Sequence, residues 1–225
     1  MRKLILLVGA ALWTTMAVAA DPAHPTVVEL YQSQGCSSCP PADVVVNALA
    51  GRPDVLALSF AVTYWDRLGW KDTFGDPAFT KRQADYAGAN RQFSISTPEV
   101  IINGRGAVVG NRKGDVDAAI ARLDRGTTGP EILSNGKVVL IRAMRGNGTL
   151  WLVRYDPRTI VVPIGAGENG GRTIPHRNIV RQLIALGQWN GSAARFNLPR
   201  SPDGLRSALI LQTGKGGPVI ASRRI

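Results

Sequence analysis

The chain contains two cysteines, and both stand in a single Cys36-Ser-Ser-Cys39 motif that two prolines follow directly. Residues 26–31, just ahead of the motif, are rich in β-branched and apolar side chains and predict a strand. Pro40-Pro41 suits the first turn of a helix, because no amide donor is needed there. The apolar run at residues 55–62 predicts a second strand, buried on both faces. The motif therefore lies inside a βαβ unit.

Two more helices and a strand pair are predicted further along the chain. Residues 78–90 predict a helix. Thr97-Pro98 leads into a strand that ends at an Asn-Gly dipeptide, residues 103–104, and this dipeptide is a strong hairpin signal. Residues 107–109 form the returning strand, and residues 115–123, with apolar side chains at helical spacing, predict a further helix.

The pattern changes after a Gly-Thr-Thr-Gly-Pro stretch at residues 126–130. Beyond it, short strand-like runs alternate with Gly, Asn and Pro, which is typical of a β-sandwich or a small barrel. We therefore predict two domains: an α/β domain at residues 25–126, with a central mixed sheet flanked by helices, and a β-rich, sandwich-like domain at residues 131–225. The predicted strands of the second domain are residues 138–141, 149–154, 159–162, 178–186, 207–212 and 218–221.

Residues 1–20 have the order of a secretory signal peptide, with two basic residues, an apolar run and small residues near a cleavage site. The apolar run is shorter than the ~20 residues of a membrane-spanning helix, and no later segment of the sequence is long and apolar enough to span a bilayer. We therefore expect a periplasmic or secreted protein without stable membrane insertion. The formal net charge of +11 is scattered along the sequence. Aromatic residues are not interleaved with the basic ones, so a nucleic acid is not an expected partner.

A Cys-x-x-Cys motif at the start of a helix has a chemical use. The helix dipole and the free amides of the first turn lower the pKa of a thiol placed there, so that it attacks disulfides at neutral pH. Cys36 is the predicted nucleophile, and Cys39, one turn later, is the predicted resolving thiol. An inert structural disulfide and a two-thiolate Cu(I) site are alternative interpretations. A zinc site is a poor candidate, because it needs four ligands and only His24 and His176 accompany the cysteines.

The order of the predicted elements resembles the thioredoxin fold, and Thr97-Pro98 matches the position of the cis-proline loop of that family. In that family the loop faces the active-site disulfide and binds the extended backbone of the substrate. The resemblance therefore implies that Thr97 and Pro98 bind substrate. The sequence also departs from ordinary thioredoxins: no Trp precedes Cys36, Ser37-Ser38 replaces Gly-Pro, and no His lies between the cysteines.

Four stretches resemble DUF1223, an uncharacterised family of exported bacterial proteins with a thioredoxin-like N-terminal half. They are VELYQSQGCSSCPPAD, YWDRLGWKD, STPEVIINGR and ENGGRTIPHRNIVR, and together they span most of the chain beyond the signal peptide. Membership of this family implies a thioredoxin-like fold and thiol chemistry, and it implies no particular substrate.

Aromatic and acidic residues follow the second predicted strand, at the end of the sheet that carries the cysteines. Ligands bind at this end in open α/β sheets, so we predict that Trp65 lines a substrate groove. Asp66 is a candidate proton acceptor for Cys39. A core position for the aromatic residue and a turn-capping role for Asp66 are the alternatives.

A dense polar group lies in the β-rich half and comprises Glu168, Asn169, Arg172, His176 and Arg177. The group would bind a ligand or dock against the redox face, where an arginine or His176 would stabilise a Cys36 thiolate; the simpler interpretation is a hydrogen-bonded loop. Residues 165–170 of this region also spell G-x-G-x-x-G. We interpret them as a loop, because no helix follows to hold a pyrophosphate.

These features favour an exported thiol–disulfide oxidoreductase in which Cys36 attacks and Cys39 resolves. The expected partner is a protein or a small thiol or disulfide, and neither a metal nor another cofactor is expected. The alternative is a non-catalytic binding module, either with a Trp65 surface or with Cu(I) on the two thiolates. The direction of electron transfer depends on the reduction potential and the electron partner rather than on the motif. Nothing in the sequence identifies a dimerisation segment.

Overall fold

The computed structural model describes residues 19–225, so residues 1–18 of the predicted signal peptide lie outside the described residues. The described chain has a mixed α/β fold with one large mixed sheet and few helices. No helix within residues 19–225 is long and apolar enough to cross a membrane. The helices are α1 (Pro40–Leu49), α2 (Pro77–Ala89) and α3 (Lys113–Leu123), with a 3-10 helix at Asp66–Leu68. The strands are β1 (Thr26–Gln32), β2 (Val55–Ala61), β3 (Glu99–Ile102), β4 (Gly106–Val108), β5 (Ile132–Ser134), β6 (Val138–Ile141), β7 (Gly148–Pro163), β8 (Thr173–Trp189), β9 (Ala194–Asn197), β10 (Arg206–Gln212) and β11 (Val219–Arg224).

The large sheet has eight strands in the order β11-β10-β7-β8-β2-β1-β3-β4. Strand β1 pairs with β2 in parallel and with β3 antiparallel. The two halves of the chain are joined by the parallel pairing of β2 with β8, at Ser59 and Ile179. A separate three-stranded sheet has the order β5-β6-β9. Because the large sheet contains strands from both predicted domains, the division of the chain at residues 126–131 stays a prediction.

Helices cover both faces of the first half of the large sheet. Helices α1 and α3 contribute Val46 and Ile120 to the core on one face. Helix α2 contributes Phe79 and Tyr86 to the core on the other face, and this cluster extends to Ile210 in the second half of the chain. The apolar core is therefore continuous between the two halves of the chain on the α2 face.

Strands β7 and β8 are longer than the sequence pattern predicts. Asp156-Pro157-Arg158 has the composition of a turn, yet it lies inside β7 as a bulge, where the pairing skips two residues. Opposite the bulge, Asn178 has a left-handed backbone with φ of 51°. Bulges bend the strands that carry them. The distal part of this strand pair, residues 159–177, is therefore set off from the sheet, and we call it the cap hairpin.

A buried ion pair joins α2 to the large sheet. Arg82 donates from Nε and one Nη to the two carboxylate oxygens of Glu29, at 2.7 and 2.8 Å, and both side chains are almost fully buried. The other Nη donates to Gln212 Oε1 at 3.0 Å, which extends the contact to β10. The hydroxyls of Tyr31 and Tyr86 also donate to Glu29, at 2.8 and 2.7 Å. Three elements, β1, α2 and β10, are thus joined around one carboxylate.

The surroundings of Glu29 keep it ionised inside the core. Burial alone would raise the pKa of this carboxyl. The positive charge of Arg82 and the hydrogen bonds from Arg82, Tyr86 and Tyr31 outweigh burial and hold the pKa of Glu29 below its usual value. A buried pair of this kind is costly to break, because removing one partner leaves the other charge uncompensated.

Replacing Arg82 tests this contribution. We expect Arg82→Met to lower the free energy of unfolding in urea by about 3–5 kcal/mol, because Glu29 stays buried without its partner. The matched control is Lys81→Met on the same helix, which removes an exposed ion pair with Asp85 and should cost less than about 1 kcal/mol. Equal losses for the two variants would contradict the assigned role of Arg82.

Candidate functional site

The two cysteines lie where β1 gives way to α1. They form a disulfide, and their Cα atoms are 5.4 Å apart. Cys39 is the N-cap residue of α1, and Pro40-Pro41 occupies the first helical positions, as predicted. The Cys39 amide donates to the Cys36 carbonyl at 3.2 Å, so the motif forms a tight turn. This geometry places the disulfide at the positive end of the helix dipole.

The disulfide is not open to solvent. Cys36 and Cys39 both have 0% exposed surface, whereas Ser37 and Ser38 between them are exposed. An attacking sulfur must approach along the axis of the S–S bond, so it cannot reach a fully covered disulfide. Whatever covers the sulfurs therefore controls their chemistry.

The tip of the cap hairpin is hydrogen-bonded to the cysteine motif. The buried Asn169 amide donates to the carbonyls of Gln34 and Cys36, at 2.9 and 2.8 Å. The Glu168 carboxylate accepts from the Ser37 amide at 3.1 Å and from the Ser37 hydroxyl at 2.6 Å. Arg172 donates to Asn169 Oδ1 at 2.8 Å and so orients the Asn169 amide.

Apolar contacts hold the cap hairpin against the loop that follows β2. Val162, Ile164 and Ile174 of the hairpin pack with Trp70 and Phe74 of that loop. Two glycines of the hairpin tip allow this close approach: a Cβ at residue 165 would lie 2.9 Å from the Trp70 ring, and residue 167 has φ of 75°. The segment that spells G-x-G-x-x-G is therefore a loop, as predicted, and its glycines serve packing against Trp70.

Trp65 connects the cysteine motif with the predicted substrate loop. The peptide bond between Thr97 and Pro98 is cis, which agrees with the position that the resemblance assigns to it. Trp65 Nε1 donates to Thr97 Oγ1 at 2.7 Å. The Trp65 side chain also lies beside Gly35, where an added Cβ would be 3.4 Å from Trp65 Cβ. Thr97, Pro98 and Trp65 are thus gathered at the motif, and their role in binding substrate stays a prediction.

Two aspartates organise the loop beside the motif. Asp66 Oδ1 accepts from the Asp72 amide at 3.1 Å. Asp72 in turn accepts from the Gln34 amide at 2.7 Å and from the Phe74 amide at 2.8 Å. These contacts favour the turn-capping interpretation of Asp66. Asp72, unlike Asp66, directly contacts the segment that carries the cysteines, through the Gln34 amide.

A second buried pair lies behind the disulfide, between α1 and the cap hairpin. Cys39, Asp43 and Asn47 follow at intervals of four residues and so share one face of α1. His176 Nδ1 lies 3.5 Å from Asp43 Oδ1, and both side chains are almost completely buried. Asn47 fixes this register, because it donates to the Pro175 carbonyl at 2.9 Å and accepts from the Arg177 amide at 3.0 Å.

The carboxyl groups of this region are shifted by burial. Desolvation raises the pKa of Asp43, and the nearby His176 opposes that shift only in part. Desolvation also raises the pKa of Asp72, against the hydrogen bonds from the Gln34 and Phe74 amides and the charge of His176. The exposed Glu168 differs, because its hydrogen bonds with Ser37 lower its pKa. A proton thus binds more readily to the buried carboxylates of Asp43 and Asp72 than to the exposed carboxylate of Glu168.

The structure brings the three polar residues predicted in the β-rich half to the motif, although in different roles. Glu168 contacts Ser37, Arg172 orients Asn169, and His176 faces Asp43 rather than a cysteine. Sequence reasoning grouped Asn169 with the polar residues of this half without giving it a separate role, and it missed Asp43 as a site residue. The spacing of Asp43 from Cys39 was a usable signal, whereas nothing local to Asn169 indicates which backbone it would contact. No cluster of three or more His, Cys, Asp or Glu side chains within residues 19–225 is arranged to hold a metal ion.

Comparisons with known proteins agree on the family and the fold. The profile of the family described as "Protein of unknown function (DUF1223)" matches residues 27–212. The crystal structure of protein AGR_C_4864 from Agrobacterium tumefaciens is 28% identical and has a TM-score of 0.75, over 93% of this chain and 96% of that chain. HBP35 of Porphyromonas gingivalis is 10% identical, with a TM-score of 0.51 over 92% of this chain and 76% of that chain, and indicates likeness of fold alone. No curated protein has significant sequence similarity to this chain.

Removing the Asn169 amide should expose the disulfide more often. Asn169→Ala removes the hydrogen bonds that this amide donates to the Gln34 and Cys36 carbonyls, which weakens the closed state by about 1–2 kcal/mol. We expect dithiothreitol to reduce the disulfide about 5–30 times faster than in the parent protein. Samples are quenched with an alkylating reagent at successive times, and mass spectrometry gives the fraction of protein with alkylated cysteines, from which the rate is obtained.

The control for this rate is Asn135→Ala, which alters an asparagine in the exposed turn between β5 and β6. Its rate should equal that of the parent. If Asn169→Ala is reduced no faster than the control while both remain folded, the cap hairpin does not limit access to the disulfide.

The burial of Asp43 predicts a pH dependence of stability. Its pKa is higher in the folded than in the unfolded protein, so the folded state binds the proton more tightly and loses stability as the pH rises above about 4. Asp43→Asn removes this loss. The melting temperature of the variant, relative to the parent, should therefore be higher at about pH 7 than at about pH 4.

Differential scanning calorimetry at both pH values measures this effect. Asp115→Asn, which alters an exposed aspartate in the first turn of α3, is the control and should show little pH-dependent difference. A relative melting temperature for Asp43→Asn that falls as the pH rises would show that Asp43 is a stabilising anion instead.

Proposed function

Because the chain belongs to the DUF1223 family, whose description assigns no activity, we propose from the site itself that this protein is an exported thiol–disulfide oxidoreductase. The observation that carries the proposal is a disulfide at the N-terminus of α1, within a Cys-x-x-Cys turn, joined through Trp65 to a cis Thr97–Pro98 loop. Each of these features serves thiol exchange, whereas an inert structural disulfide would need only the two cysteines.

The arrangement of the first half of the chain supports a thioredoxin-like assignment. Its elements follow the order β1-α1-β2-α2-β3-β4-α3, and its strands lie in the order β2-β1-β3-β4. Helices α1 and α3 pack on one face of these strands and α2 on the other. The second half adds β8, β7, β10 and β11 to the β2 edge, together with the cap hairpin.

The proposed reaction transfers two electrons between the protein and a disulfide substrate. The Cys36 thiolate attacks one substrate sulfur and forms a mixed disulfide, and the other substrate sulfur leaves as a thiolate. Cys39 then loses its proton and attacks Cys36 Sγ. The Cys36–Cys39 disulfide forms, and the second substrate thiolate departs. The reverse sequence oxidises a substrate dithiol, and the direction follows from the two reduction potentials.

Within this proposal, Asp43 is the proton acceptor for Cys39. It lies one helical turn beyond Cys39 on the same face of α1, and it is buried like the thiol it serves. Its raised pKa brings it closer to that of a thiol, which favours proton transfer. His176 lies against Asp43 and favours the ionised carboxylate before the transfer. Asp66, the candidate from the sequence, is engaged by the Asp72 amide instead.

The proposed partners and location follow from the signal peptide and the covered disulfide. Cleavage near residue 20 would release a periplasmic or secreted protein, where oxidising conditions keep the cysteine pair as a disulfide. A protein or a small thiol reaches the sulfurs once the cap hairpin moves away from Cys36. The Thr97–Pro98 loop and Trp65 then provide the adjacent substrate contacts.

Exchange with glutathione disulfide tests the proposal. The reduced protein should re-form the Cys36–Cys39 disulfide and release two glutathione molecules per chain. Cys39→Ala should stop at a single glutathione adduct on Cys36. Cys36→Ala should form its adduct at least about tenfold more slowly, because Cys39 is the poorer nucleophile. Mass spectrometry of quenched samples follows all three species.

Two results would refute the redox assignment. In one, the two single-cysteine variants react with glutathione disulfide equally slowly, at the rate of an ordinary thiol. In the other, the reduced wild-type protein does not exchange but binds Cu(I) at one equivalent per chain, which would favour the binding-module alternative.

A further inference from the structure

A cavity of about 490 Å³ lies away from the disulfide, between α2 and the second half of the large sheet. It is present because the helices of the first half do not extend over this face, while the three-stranded sheet packs on the opposite face. Leu150 and Leu152 of β7 point into the core shared with the small sheet. Trp151, between them, points to the α2 side and lines the cavity. Cavities of this size hold small organic ligands in other proteins.

The floor of the cavity is apolar. Trp151 and Ala185 are directly paired across β7 and β8, and Leu183 lies two residues before Ala185 on the same face. Arg82 lies beneath the indole, with its guanidinium carbon 5.5 Å from the ring centroid. Its charge is already neutralised by Glu29, so the floor offers apolar surface rather than a free cation.

One polar atom of the floor has no acceptor. Trp151 Nε1 is shielded from solvent, and no atom of residues 19–225 accepts its hydrogen bond. Tryptophan N–H groups that are buried normally find a partner, because an unpaired donor costs free energy. Because this N–H is shielded, it does not face the cavity, and a ligand there would contact Trp151 through its ring.

The rim of the cavity is cationic. Lys81 is paired with Asp85 on the same helix, at 2.8 Å, so these two charges cancel. Lys215, in the turn after β10, is exposed, and no carboxylate of residues 19–225 lies within 4.0 Å of it. One positive charge is therefore uncompensated at the mouth of an apolar cavity.

We propose that this cavity binds an amphipathic organic anion of the medium-chain carboxylate class. The hydrocarbon part packs on Trp151, Leu183 and Ala185, and the carboxylate pairs with Lys215. Charge complementarity selects an anion over a neutral apolar molecule, and the apolar floor selects a chain over a small hydrophilic anion. The site is independent of the cysteine pair and does not require the proposed redox activity.

Titration calorimetry with three probes tests the ligand class on the purified full-length protein with its disulfide intact. Dodecanoate, below its micelle concentration, should bind with one site per chain. Dodecanol, with the same chain and no charge, should bind at least about fivefold more weakly, and butyrate should give no measurable heat. Equal affinity for dodecanoate and dodecanol would overturn the assignment of an anion site, and no binding of dodecanoate would overturn the site altogether.

Variants locate the bound probe. Ala185→Phe places a ring in the cavity from an exposed position and should abolish binding of dodecanoate. Lys215→Gln removes the charge and should weaken binding about three- to fivefold. The matched control is Lys137→Gln, an exposed lysine in the turn between β5 and β6, which should leave the affinity unchanged. Unaltered binding by folded Ala185→Phe would place the ligand elsewhere and overturn the proposal.

Discussion

The buried ion pair between Glu29 and Arg82 fixes helix α2 against the large sheet. It joins β1, α2 and β10 in one hydrogen-bonded group, so strands from opposite halves of the chain are held to a single carboxylate. The loop that carries Trp65 and Trp70 leads directly into α2, so its position depends on this anchor. The cavity beside Trp151 has α2 as one wall and depends on it as well. Two separate sites thus share one structural support.

The candidate redox site combines residues from segments that are far apart in sequence. The first half supplies the disulfide, the cis Thr97–Pro98 bond and Trp65, and the second half supplies the cap hairpin. Asn169 of the hairpin bonds the backbone of the cysteine motif from 133 residues away. The β-rich half is therefore part of the site and not an appended module. Its contribution is to bond the backbone of the cysteine motif and to place His176 against Asp43.

Local sequence signals predicted the parts of the structure whose causes are local. The helix start at Pro40-Pro41, the strand before it and the apolar face of α3 all follow from short-range steric and periodic preferences. The length of β7 does not follow from such local preferences, because Asp156-Pro157-Arg158 has the composition of a turn and only pairing with β8 makes it a bulge. The same holds for Asn169, since its partners are backbone carbonyls that carry no sequence information. Tertiary pairing, rather than propensity, decides both cases.

The Glu168 carboxylate accepts the hydrogen bond of the Ser37 amide, in the turn whose amides would have to stabilise a Cys36 thiolate. A neutral disulfide tolerates that negative charge, whereas a thiolate next to it would be repelled. Under the proposed redox chemistry, closure of the cap hairpin and oxidation of the cysteine pair would therefore favour each other, and by reciprocity reduction of the pair would loosen the hairpin. Under this proposal, the conformation of residues 159–177 depends on whether the cysteine pair is oxidised or reduced, and a partner at the outer surface of the protein can distinguish the two states.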